Sequence, residues 1–369
     1  MHTSPSRNQS LDLLRIIALM MVILIHLSTI GVKLLPISHP NWYIATFFDA
    51  LGRPAVHLFI LLGGYFLGTR ETSPPLALKR TKNLVTPLIL FSLLFILTMI
   101  HPFTLTQGRT FLQTFLSGKL NFSSPQWYGH LWFLYPYALL MLLTPLINPT
   151  LISLPKKQFF QLLLTLFIFF IVLPSINLTS GMRLFYTTAQ PLGYFLMSYS
   201  TGAYIKRFPP TLRIKTLLFI FASMTLWTWG MSVVQAHLLV PHEIKHFLGT
   251  KGAYDNMFAN EQLGVFIAAV VLFLLFLKSK PRRTNPSITR SAQAGFHGYV
   301  IHMMIIYWIL QVIPYKTEVI FSSWYLPITL AIVMSTTLLA LIYGDIAVRL
   351  HFTLATYYAI LRKRKKELL

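Results

Sequence analysis

An arginine and a histidine stand eleven residues apart in the segment LDLLRIIALMMVILIH, which runs from Leu11 to His26. Arg15 and His26 interrupt a run that is otherwise almost wholly apolar after Asp12. On a helix, eleven steps of about 100° make close to three full turns, so both side chains point the same way, roughly 16 Å apart along the axis. Ionisable groups inside a membrane are costly and face a protein interior or a water-filled cavity. The pair therefore predicts a polar path entering the bilayer. Arginine stays charged and binds phosphate bidentately, and histidine exchanges a proton near neutral pH. Taken singly, Arg15 also suits a snorkelling interface residue and His26 a helix-packing hydrogen bond.

Further polar groups recur inside apolar segments. In FFDALGRPAVHLFILLGGYFL, Asp49, Arg53 and His57 repeat every four residues and predict one polar stripe. Asp49 and Arg53 read either as an ion pair neutralising itself in the bundle or as a support for an acyl or sugar group. Near WYGHLWFLYPYALLMLLTPLI, the residues Trp127, Tyr128, His130 and Trp132 are expected at the outer interface, as an aromatic belt or as a sugar-stacking rim. A late segment, GFHGYVIHMMIIYW, holds His297, Tyr299 and His302. The two histidines, five apart, lie about 140° out of phase, which argues against a metal pair. His302 reads as a polar residue of the bundle interior. Lys79, Arg80 and Lys82 open another apolar segment and could hold a cytoplasmic phosphate beside Arg15.

The elements that position these groups follow from composition. The 369 residues are 55% hydrophobic and 11% charged, with a mean hydropathy of +0.62. Such a chain is an all-α polytopic transmembrane bundle, since each span needs about 20 apolar residues. About ten spans are expected, near 11–31, 43–67, 83–100, 130–148, 159–174, 187–204, 214–233, 258–277, 293–313 and 323–345. They divide the chain into a cytoplasmic segment (1–10), a transmembrane domain (11–345) and a basic cytoplasmic tail (346–369). No cleavable signal is expected, because Asp12 and Arg15 break the start of the first apolar run. With both termini inside, 23 of the 31 Lys and Arg residues fall on the cytoplasmic side. The net charge of +22 is thus mainly a topology signal, together with attraction to anionic lipids, and does not imply nucleic-acid binding. A multi-pass protein of a cell membrane, the bacterial plasma membrane, is expected.

In this orientation Arg15 lies near the cytoplasmic face and His26 toward the outer leaflet. The pair suits a substrate with a phosphorylated head inside the cell and a reactive group about 16 Å deeper, the shape of a coenzyme A thioester. The chain has no cysteine, which excludes disulfides, thiolate zinc sites and a cysteine nucleophile. It carries no P-loop, G-x-S-x-G or H-E-x-x-H motif. No metal and no permanently bound cofactor is expected.

Four segments in order, LDLLR…H, RPAVHLFILLGGYFL, HLWFL…LTPLI and YVIH, resemble the acyltransferase-3 family of integral membrane acyltransferases. The likeness is to the single-domain, short-loop type similar to bacterial surface-polysaccharide O-acetyltransferases. The resemblance implies about ten spans and transfer of an acyl group, usually acetyl, from cytoplasmic acyl-CoA to a hydroxyl of a cell-envelope glycan. It implies His26 as catalytic base, Arg15 as a donor-binding residue and Arg80 as a matching basic position. It also matches His130 and His302 without fixing their roles. Asp49, Arg53, Trp127, Trp132 and Tyr299 complete the expected set of supporting or acceptor-facing residues. The chain departs from the family pattern V-P-x-F-F-x-x-S-G at His57 and Gly63. It departs from S-F-x-x-Y-x-x-H at Gly295, and has Asn83 where a basic residue is frequent. The expected mechanism is direct transfer, with an acyl-histidine intermediate as a variant. The rival reading is a transporter or flippase for a lipid-linked sugar or small anion.

Overall fold

The computed structural model describes residues 8–99, 129–180, 190–239, 257–279 and 285–367. Among the described residues 86% are helical and none lies in a strand. The helices are α1 (Gln9–Leu34), α2 (Pro40–Gly52), α3 (Ala55–Leu67), α4 (Pro74–Met99) and α5 (Leu134–Ser153). They continue with α6 (Lys156–Phe167), α7 (Leu173–Ser180), α8 (Gln190–Arg207), α9 (Ile214–Leu239), α10 (Leu263–Lys278), α11 (Pro286–Val312) and α12 (Tyr325–Glu367). A 3₁₀ turn, Gly129–Phe133, leads into α5, and a π-helical turn, Ile168–Val172, joins α6 to α7. Each of the ten expected spans overlaps a helix. Seven of the described stretches are long and apolar enough to cross a membrane, and Leu263–Lys278 is a shorter apolar helix.

Helix starts follow local sequence. The Asn8 side chain caps α1 by accepting from the Ser10 and Leu11 amides, satisfying donors that have no intrahelical partner. Asn285 caps α11 and precedes Pro286, whose missing N–H is not needed at a first helical position. The expected span 43–67 is a bent rod. It breaks at Arg53–Pro54, where proline removes a donor and clashes with the preceding turn.

α1 is central and packs against α2, α3, α10, α11 and α12. Bilayer lipid offers no hydrophobic drive between helices, so small residues that admit close backbone approach hold them together. A Cβ on Gly64 of α3 would lie 1.9 Å from the Tyr199 carbonyl of α8, and one on Gly202 of α8 would lie 2.2 Å from the Leu61 carbonyl of α3. Gly344 of α12 meets Ala294 of α11 in the same way, at 2.3 Å. Polar ties gather helix ends. Gln9 bonds Asn285, Ser10 bonds the Ser279 carbonyl, and Arg207 bonds the Leu151 and Leu154 carbonyls that end α5. At the opposite end, the Asn41 amide donates to the Ile320 and Ser322 carbonyls, both at 2.8 Å. α12 runs unbroken past residue 345 to Glu367.

Candidate active site

Arg15 and His26 sit on one uninterrupted helix, α1, and both face α11. Arg15 is half-buried. Its Nη1 donates to Asp12 Oδ1 at 2.5 Å, and its guanidinium lies 4.9 Å from the centre of the Phe66 ring. Asp12 is itself buried and accepts from the Thr289 hydroxyl at 3.3 Å. The Asp12 carboxylate fixes the direction of the guanidinium, as expected of a charge-assisted pair in low dielectric. Arg15 borders a cavity of about 350 Å³ enclosed by α1, α3, α4, α5 and α11. Its wall is largely apolar, with Phe59, Leu62, Phe66 and Phe133 prominent, and Tyr299 also lines it.

Beyond Tyr299 three histidines converge from three distant parts of the chain. The His26 ring lies 5.2 Å from His302 and 6.3 Å from His130, and His130 lies 4.9 Å from His302. His302 is fully buried. Its Nδ1 bonds the Tyr299 carbonyl at 2.5 Å. A carbonyl only accepts, so Nδ1 carries the proton and Nε2 of the neutral ring presents a lone pair. Nε2 has no partner among the described residues. His130 Nε2 donates to the Val300 carbonyl at 3.1 Å, and the Tyr299 hydroxyl donates to the His130 carbonyl at 2.5 Å. Backbone carbonyls thus fix two of the three imidazoles by tautomer and direction. Tyr299 packs edge-on to Phe59 and Phe133, at 6.0 and 5.3 Å, and all three line the cavity.

The remaining predicted residues divide. The Asp49 carboxylate, fully buried, accepts both Arg53 Nε at 2.7 Å and Arg53 Nη2 at 2.9 Å. Thr29, one turn beyond His26, donates to the same carboxylate at 3.3 Å. The break at Pro54 takes His57 out of the expected stripe. It bonds Ser198 on α8 and the Asn260 carbonyl, each at 2.7 Å, and so ties helices together. His130 is not interfacial as its aromatic neighbours suggested. It is buried, because the 3₁₀ turn seats it beneath α11 where Val300 satisfies its donor. Trp132 is half-buried against Phe195, at 6.3 Å, and Trp127 lies outside the described residues. Arg80 donates to the Thr72 hydroxyl at 3.0 Å and is not part of the cavity wall. Sequence reasoning missed Tyr137, Phe59 and Phe133, which line the cavity. In an apolar helix, aromatic residues carry no signal that separates cavity wall from lipid face.

The fold defines a polytopic helical membrane protein, with a histidine cluster next to a cavity that Arg15 borders. A family model described as an acyltransferase domain matches residues 8–344, nearly the whole chain. The chain therefore belongs to the acyltransferase-3 family and is a membrane acyltransferase. No curated protein and no solved structure matches it significantly.

Proposed function

We propose that the protein moves an acyl group, acetyl by default, from cytoplasmic acyl-CoA to a hydroxyl of a cell-envelope polysaccharide or lipid-linked sugar, in the plasma membrane of a bacterial cell. One observation carries this reading: the cavity bordered by Arg15 is also lined by Tyr299, whose ring lies 6.2 Å from His130 and 5.4 Å from His302 in the cluster with His26. Donor phosphates lie near Arg15, with Arg80 close by, and the thioester carbonyl reaches the histidines. His26 takes the proton of the acceptor hydroxyl. The alkoxide attacks the thioester carbon, the carbon–sulfur bond breaks, and the coenzyme A thiolate leaves and takes the proton back from the imidazolium. Asp49, Arg53 and Trp132 lie on the acceptor's approach to His26.

The test is ester analysis of envelope glycans from deletion cells complemented with wild type or His26→Ala. Loss of one ester class, restored by wild type alone, supports the reading and names the acceptor. Esters unchanged in all three strains, with the variant expressed, sink it in favour of transport of a lipid-linked sugar or small anion.

A further inference from the structure

Resting on that reading, we infer that the Arg15 cavity is the bore for the amide-bearing arm of the donor thioester, anchored by the Tyr137 hydroxyl and kept open by Gly63 and Gly295. The polar groups on the cavity wall are few. Arg15 already holds Asp12, and the Tyr299 hydroxyl already donates to the His130 carbonyl. The Tyr137 hydroxyl has no hydrogen-bond partner among the described residues, although its ring is fixed by stacking on Phe133 at 5.6 Å and 18°. Tyr137 lies within electrostatic reach of both Arg15 and Arg80.

Two glycines shape the bore around this hydroxyl. A Cβ on Gly63 would lie 2.6 Å from the Tyr137 oxygen, so that hydroxyl occupies the space a side chain at 63 would fill. A Cβ on Gly295 meets nothing within 4 Å, so this stretch of wall is bare backbone facing open space. Both glycines line the cavity. A bordering cation, apolar walls and one hydroxyl donor match a phosphorylated head, methylenes and an amide carbonyl. A buried amide carbonyl left unpaired is costly, so an otherwise apolar bore needs such a donor. A plain hydrocarbon chain would need no donor, and Tyr137 would then be idle.

The experiment uses the purified full chain in lipid nanodiscs, with thermal unfolding recorded for every variant. Acetyl-CoA turnover and equilibrium binding of coenzyme A are measured for wild type, Tyr137→Phe, Gly63→Ala, the double variant, Gly295→Ala and Gly295→Leu. Tyr137→Phe keeps the stacked ring and removes the donor. It should raise KM for acetyl-CoA and Kd for coenzyme A about 3- to 10-fold, the span of a typical net hydrogen bond, with a much smaller change in kcat. Gly63→Ala should raise KM by displacing the hydroxyl, and its effect should largely vanish in the Tyr137→Phe background, where the oxygen is gone. A purely structural clash at 63 would instead persist in both backgrounds. Gly295→Leu should weaken coenzyme A binding far more than Gly295→Ala does. Wild-type KM in Tyr137→Phe, or normal coenzyme A binding in Gly295→Leu, overturns the inference while wild-type transfer leaves the acyltransferase reading standing. A wild-type protein that neither transfers acetyl nor binds coenzyme A overturns both.

Discussion

Gly64→Ala is the sharpest test of the packing that shapes the cavity. One added carbon would stand 1.9 Å from the Tyr199 carbonyl oxygen, 2.6 Å from its carbon and 2.8 Å from its Cα. Ordinary contact needs roughly 3.5 Å, so α3 and α8 must separate by about 1.5 Å. All three obstacles are backbone, so no side chain can swing aside. The reciprocal contact between Gly202 and the Leu61 carbonyl opens with it. Overpacking of this kind costs about 1–3 kcal/mol, and the backbone clash sets the expected loss near the top of that range. Because α3 also carries Phe59, Leu62 and Phe66 of the cavity wall, transfer should fall with stability. Gly230→Ala is the matched control: its Cβ meets nothing within 4 Å, and exchanging glycine for alanine inside a helix adds about 0.5–1 kcal/mol. The assay is thermal unfolding in detergent together with acyl transfer per folded molecule. Equal unfolding of the two variants would refute the claim that the α3–α8 approach is a close backbone contact.

Other expectations follow from the same geometry. His26→Ala should cut transfer by about 10²–10⁴-fold, the usual contribution of a general base; near-wild-type turnover by correctly folded protein would reject His26 in that role. Asp49→Ala leaves the Arg53 guanidinium without its partner in a buried setting and should cost about 3–5 kcal/mol, read by thermal unfolding. Replacing both residues with apolar ones should cost less, and an additive double variant would contradict a self-neutralising pair. Tyr299→Phe removes the donor to the His130 carbonyl and should lower stability by about 1–3 kcal/mol. It should depress kcat more than it raises KM for acetyl-CoA, since it loosens the histidine cluster rather than the mouth of the cavity.

What the sequence determined by itself was mostly one-dimensional. Apolar run length marked the helices, and Asn8 and Asn285–Pro286 marked two of their starts, because capping is a local hydrogen-bonding problem. The eleven-residue spacing put Arg15 and His26 on one face of one helix, since helical phase depends on residue count alone. A family pattern read from four short segments extended over residues 8–344. The tertiary structure decided what depends on separate helices meeting. His26, His130 and His302 lie far apart in the chain, and nothing in their local sequences encodes a separation near 5 Å. His130 sat among aromatic residues that read as a membrane belt, yet a 3₁₀ turn carries it inside. The four-residue repeat of Asp49, Arg53 and His57 predicted one stripe, and Pro54 split it between two partners. The fit of the Tyr137 hydroxyl against Gly63 is visible only when both are placed. A missing side chain has no meaning until the atom that takes its place is known.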